Sequence, residues 1–168
     1  QIVDKCLVPP LDFDGRLVAI GSDFSVRGDV WGTVIGYREN GHYYFKAIPI
    51  MPESAEDKFK HLGETITHEG INNMTDEAWD AFMSAMNGSV PIALNYDPNY
   101  AKNFIDKFEQ TYDIEFYNKV MQNSFKLSNT LEATQKLMEE GKIHFDSKLL
   151  AVHLMNAETK INDFGLMR

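Results

Sequence analysis

Glu39-Asn40-Gly41 is the tripeptide that most restricts what this chain can fold into. An Asn-Gly pair between two β-rich runs is a tight-turn signal, because both residues tolerate the positive φ that a sharp reversal requires. It separates residues 30–38, rich in Val, Ile, Trp and Tyr, from residues 42–50, which carry Tyr43, Tyr44 and Phe45. A third β-rich run, residues 16–23, precedes them, so the chain is predicted to start as three antiparallel strands. Pro49 and Pro52 are expected to stop the pairing, since proline lacks the N–H that a ladder uses.

The pattern then changes period. Ser54, followed three residues later by Asp57, is close to a capping box and predicts a short helix over 54–61, ended by Gly63. Thr75 caps a second helix over 75–87, with Trp79, Phe82, Met83 and Met86 on one face and Gly88 closing it. Residues 91–97 form a short apolar strand ending on Asp97. Pro98 suits the first turn of a helix reaching Tyr112, with Phe104, Ile105 and Phe108 facing inward. A β-rich run over 114–120, a capped helix over 128–140 ended by Gly141, and a last helix over 147–158 complete the chain. Three antiparallel strands followed by alternating strand and helix predict an α/β fold, a mixed β-sheet of antiparallel and then parallel strands flanked by helices. In such sheets ligands gather at strand ends.

A length of 168 residues suits one domain, and 43% hydrophobic with 12% aromatic residues supply its core. The sequence has no run of about 20 apolar residues and no signal-peptide pattern. Its single cysteine, Cys6, excludes an internal disulfide and a multi-cysteine zinc site, which fits a reducing compartment, and it reads as a buried or incidental thiol and not a nucleophile. Residues 1–10 read as an extended lead-in from something before them, so a piece of a longer chain is expected. The formal charge of -9, from 25 acidic and 16 basic residues, argues against broad binding to a phosphate backbone.

Two of the strand-like runs end on an aspartate, Asp23 and Asp97, and Asp29 follows the first by six residues. An aspartate at a strand end is commonly just a turn former. If the two strands are parallel neighbours, however, their carboxylates meet at one sheet edge, where they repel unless a cation lies between them. Oxygen ligands alone favour Mg²⁺ or Mn²⁺ over zinc. A two-metal site of this kind needs only acids from the protein and lets a net-acidic domain act on a phosphodiester.

The other candidates are weaker. His42, His61, His68, His144 and His153 have no helical zinc spacing, and neither a phosphate loop nor a dinucleotide fingerprint occurs. The Tyr43–Phe45 run could stack on bases, but packing is the commoner role of aromatics on a strand. Arg27, Lys126 and Ser128, the last two near a helix start with Ser124, are the candidate DNA contacts.

Gly21-Ser-Asp-Phe-Ser25 with Asp29, Asn95-Tyr-Asp-Pro98, Met121-Gln-Asn-Ser-Phe-Lys-Leu-Ser128 and Leu137-Met-Glu-Glu-Gly-Lys-Ile-His144 resemble, in order and spacing, the nuclease domain of the large terminase subunit of tailed bacteriophages. The resemblance runs from Arg16 to the end. It implies a ribonuclease H-like fold and a metal-dependent endonuclease that cuts concatemeric viral DNA during packaging, in the host cytoplasm and docked transiently on the procapsid. It makes residues 1–15 a linker from an N-terminal ATPase domain and 16–168 the nuclease domain, with its C-terminal end incomplete.

By position, the resemblance makes Asp23 and Asp97 metal ligands for two Mg²⁺ or Mn²⁺ ions and Asp29 an additional acid. It places a third main ligand beyond Arg168, after a strand opened by Asn156, and gives that role to neither Asp146 nor Asp163. The implied partners are double-stranded DNA, the ATPase domain, the portal protein and the small terminase subunit. Other readings of the same residues are a resolvase, a transposase-like domain or a ribonuclease H. A non-catalytic module docking on portal or capsid is a further one.

Overall fold

The computed structural model describes residues 2–23, 31–51, 67–68, 76–99, 101–120 and 124–156. Its organising unit is the hairpin. Asn40 and Gly41, at φ 51° and 78°, join β2 (Trp31–Glu39) to β3 (His42–Met51). β1 (Leu17–Asp23) pairs antiparallel with β2. On the other side of β1 lies β5 (Val90–Tyr96), parallel to it, and beyond that β6 (Phe116–Lys119), parallel to β5. The outer edge of β3 carries two short parallel strands, β4 (Thr67–His68) beside Ile50 and Met51, and β7 (Ile143–Phe145) beside residues 43–45. The predicted mixed sheet is therefore present, in the order β4-β3-β2-β1-β5-β6.

Pairing continues through Pro49 instead of stopping there, with Gly32 opposite Pro49 and Trp31 opposite Ile50. Counting from the Glu39–His42 pair that closes the turn, Gly32–Pro49 falls at a non-hydrogen-bonded position. The donor that proline lacks would point away from β2, so the ladder loses nothing.

Among the described residues four helices accompany the sheet: α1 (Asp76–Met86), α2 (Lys102–Thr111), α3 (Ser124–Glu139) and α4 (Lys148–Asn156). Alternation along β1 turns Val18, Ile20 and Ser22 inward. There Val18 and Ile20 join Ile35 and Leu94 against Phe82 and Met86 of α1 and Phe104 and Phe108 of α2. The Phe82 and Phe104 rings meet edge to face at 5.1 Å. Each such side chain contributes about 1.5–3 kcal/mol by leaving water.

A second cluster joins Val3, Cys6, Met138, Ile143, Phe145 and Ala151, and so binds α3, β7, α4 and the N-terminal stretch into one unit. That stretch is not simply extended: it makes a short 3-10 turn at Asp4–Cys6, then Val8 N–H donates to the Phe145 carbonyl (2.9 Å) and Leu11 N–H to Asp146 Oδ2 (2.7 Å). Asp146 thus holds backbone. Cys6 is buried, and burial pushes its thiol pKa up, which keeps it un-ionised and unreactive.

Helix boundaries differ from expectation where a side chain redirects the backbone. Asp97 Oδ1 accepts the Asn99 N–H (2.8 Å), an Asx-turn that delays α2 until Lys102. α3 begins at Ser124, which makes Ser128 an interior residue of the helix and not its cap. Ser147 Oγ accepts the Leu150 N–H (3.1 Å) and caps α4, which runs to Asn156 within the helix expected over 147–158, while a strand opened by Asn156 would lie outside the described residues. The helix expected over 54–61 and Asp163 lie outside the described residues. Among the described residues no helix is long and apolar enough to cross a membrane.

The aromatic run is packing. Tyr37 and Tyr44 stack at 4.9 Å, Arg38 lies over the Tyr43 ring, and Phe45 packs against the second cluster. Beside them His42 Nδ1 and His144 Nε2 share a hydrogen bond (2.8 Å) that ties β3 to β7, with the rings stacked at 5.1 Å. Burial, and secondarily the charge of His42, lowers the His144 pKa below its ordinary value.

These contacts can be tested through stability. Gly88, at φ 78°, closes α1 where a Cβ would run into the Asp14 carboxylate, whereas Gly141, at φ 68°, has open space around it. Gly141→Ala should cost about 1–2 kcal/mol for the left-handed backbone alone, and Gly88→Ala more than that, as read from urea midpoints. His144 takes up its proton more readily in the unfolded chain, so its contribution is intact above about pH 6.5 and is lost as pH falls towards the folded-state pKa. The urea midpoint should therefore drop as pH falls below that value, and His144→Gln should flatten the drop.

Candidate metal centre

β1 and β5 run side by side in the same direction, with Ser22 opposite Tyr96 and the Asp97 N–H donating to the Ser22 carbonyl (3.1 Å). Their ends are therefore level. Asp23, the last residue of β1, and Asp97, the first after β5, line one open cleft of about 430 Å³. Gly21, Gly32 and Asn95 lie on the sheet side of the cleft, and Lys126, Leu127 and Thr130 of α3 form a wall. Gly32 is the cross-strand partner of Asp23, and a Cβ there would meet nothing within 4 Å among the described residues, which leave space beside that carboxylate. Asp23 is exposed, while Asp97 is only 9% exposed.

Polar side chains brace both strand ends. Beneath β1, the hydroxyls of Ser22 and Thr33 share a buried hydrogen bond (2.8 Å) linking β1 to β2. On the other side, Asn95 Nδ2 donates to the Ile20 carbonyl (3.2 Å), and Asn95 Oδ1 accepts from Asn118 Nδ2 (3.0 Å). The Asx-turn at Asp97 orients that carboxylate through one of its oxygens.

The donor set consists of hard carboxylate oxygens, which fits Mg²⁺ or Mn²⁺ better than zinc. Among the described residues, no three or more His, Cys, Asp or Glu side chains come together, so the described donors are the pair Asp23 and Asp97. Asp29 and Arg27 lie outside the described residues. Lys126 is exposed and lines the cleft. Ser128 is 1% exposed inside α3, its hydroxyl donating to Glu132 (3.4 Å), and it does not line the cleft. The residues that sequence reasoning passed over are Thr33, Asn95 and Asn118. Only Asn95 left a signal: it precedes Asp97 by two residues, the strand period that puts both on one side.

The family model for the terminase large subunit, endonuclease domain, matches residues 1–168. Among solved structures, the large terminase of bacteriophage HK97 superposes with a TM-score of 0.71 at 14% identity, over 99% of this chain and 37% of that one. The large terminase nuclease of thermophilic phage G20c gives 0.59 at 13% identity, over 100% of this chain and 85% of that one. The large terminase of another thermophilic bacteriophage gives 0.58 at 10% identity, over 94% of this chain and 36% of that one. No curated protein matches the chain. The fold is thus that of the terminase nucleases, and the terminase resemblance read from the four sequence motifs is borne out.

The Ser22–Thr33 bond offers a test of the brace. Ser22→Ala or Thr33→Val alone leaves the other buried hydroxyl without its partner and should cost about 1–3 kcal/mol. The double variant should cost less than the two single losses added together in a urea double-mutant cycle.

Proposed function

The chain belongs to the terminase large subunit endonuclease domain family, and from that membership we propose that it is a divalent-metal-dependent endonuclease cutting concatemeric double-stranded DNA during viral genome packaging. The observation that carries the reading is the convergence of Asp23 and Asp97 at adjacent parallel strand ends in one open cleft. A phosphodiester is hydrolysed by such a site without a protein nucleophile.

Two Mg²⁺ or Mn²⁺ ions, when bound, supply a water activated near neutral pH and stabilise charge on the attacking and leaving oxygens. Asp23, exposed at the cleft, and Asp97, its carboxylate oriented by its turn, would hold them. Asp29 assists from the segment that follows β1. Lys126, which lines the cleft from α3, would meet a phosphate of the incoming strand, while the glycine at position 32 leaves room for the backbone to approach. Arg27 is a second candidate phosphate contact. Ser128, being buried, is not assigned one.

The chain spans 37% of the HK97 large terminase and 36% of the second thermophilic-phage large terminase. On this reading it acts with an ATPase domain of the same subunit, with the small terminase subunit and the portal protein, in the host cytoplasm.

The test is plasmid cleavage with Mn²⁺ by the full-length subunit. Asp23→Asn and Asp97→Asn should each lower the rate at least about 100-fold while leaving the fold intact by circular dichroism. Wild-type cleavage by both variants would overturn the reading. A subunit that binds portal but no Mn²⁺ in calorimetry would instead be a docking module.

A further inference from the structure

We propose that Asn95, backed by Asn118, is a positioning residue that fixes the separation of the Asp23 and Asp97 strand ends, an inference that rests on the metal-nuclease reading above. Asn95 lines the cleft two residues before Asp97. Its register partners are Gly21 on β1 and Asn118 on β6. The Asn95 amide reaches across to the Ile20 carbonyl, to which Nδ2 donates at 3.2 Å. Its Oδ1 accepts from Asn118 Nδ2 at 3.0 Å. One side-chain amide therefore links three neighbouring strands directly below the carboxylates.

The orientation of that amide is set by the Ile20 carbonyl, which can only accept. Turning it over would put Oδ1 against that carbonyl, acceptor against acceptor. Aspartate at 95 would meet the same conflict and add a negative charge to the cleft. The tie also sits where it is needed: the β1–β5 ladder shifts register between Val18 and Ala19, just upstream of the carboxylate end. With both of its polar ends engaged, Asn95 acts on the centre through the strands and not as a ligand.

The test uses the full-length subunit with Asn95→Leu, which keeps the branching and heavy-atom count of the side chain and removes both hydrogen bonds. Amide hydrogen exchange, read without metal, should quicken about 10-fold or more at Asp97, whose N–H bonds the Ser22 carbonyl, while the urea midpoint of the domain changes little. In calorimetry the Mn²⁺ dissociation constant should rise about 10-fold. Cleavage at saturating Mn²⁺ should recover, with KM for DNA unchanged. Asn118→Leu, at an exposed position, should act in the same direction more weakly and add little to Asn95→Leu, and it carries the test if Asn95→Leu does not fold. Unchanged exchange at Asp97 together with unchanged Mn²⁺ affinity in these folded variants would overturn the proposal. If Asp97→Asn kept full Mn²⁺ binding, the metal-centre reading would fail instead, and the metal-free exchange measurement would still decide whether the tie exists.

Discussion

The parallel pairing of β1 with β5 is the constraint from which the rest of the site follows. Had β5 run antiparallel, Asp97 would lie at the opposite edge of the sheet from Asp23. Parallel and level, the two strands deliver both carboxylates to one place without help from any loop. A slip of a single residue would turn Asp23 to the other face, because side chains alternate with a period of two. That explains why so much of the local polar bonding concerns register: Ser22 with Thr33 on the inner face, Asn95 with Ile20 and Asn118 on the cleft side.

The second core reaches the cleft from a distance. Met138, near the end of α3, is locked with Ile143, Phe145 and Ala151, and the N-terminal stretch closes over them through Val3 and Cys6. Lys126, near the start of the same helix, lines the cleft. About twelve residues of helix separate the two, roughly 18 Å at the rise of an α-helix, so anchoring one end aims the other. Residues remote from the carboxylates thus hold one wall of the cleft. Asp146, which does not line the cleft, contributes by fastening the N-terminal stretch through Leu11.

What could be read from sequence was what local chemistry dictates. The Asn-Gly turn, the apolar face of α1, and the two apolar runs ending on Asp23 and Asp97 all appear as expected. β7 did not, because three residues carry no periodicity and its pairing with β3 is settled by contacts about a hundred positions apart, His42 with His144 among them. Boundaries shifted for the same kind of reason. Pro98 looks like a helix start only until Asp97 is seen to spend an oxygen on the Asn99 amide. Ser128 looked like an exposed cap only while α3 was taken to begin there. Asn95 and Thr33 gained their roles from register, which a single sequence does not contain.

The charge balance, which first argued against nucleic acid, takes on a different meaning beside this geometry. With a net charge of -9 and two carboxylates at the cleft, the metal-free domain repels a phosphate backbone. On the proposed function, bound cations reverse that sign only within the cleft, since at physiological salt fields between exposed charges fade over about 8 Å. Intrinsic affinity for DNA is then low away from the loaded centre. On the same reading, tethering to an ATPase domain that holds the same DNA would raise the effective concentration of substrate to about the millimolar range without any new contact. On that reading an acidic nuclease with a weak grip of its own would be confined to DNA that its motor presents, a restraint that a basic, strongly binding domain would lack.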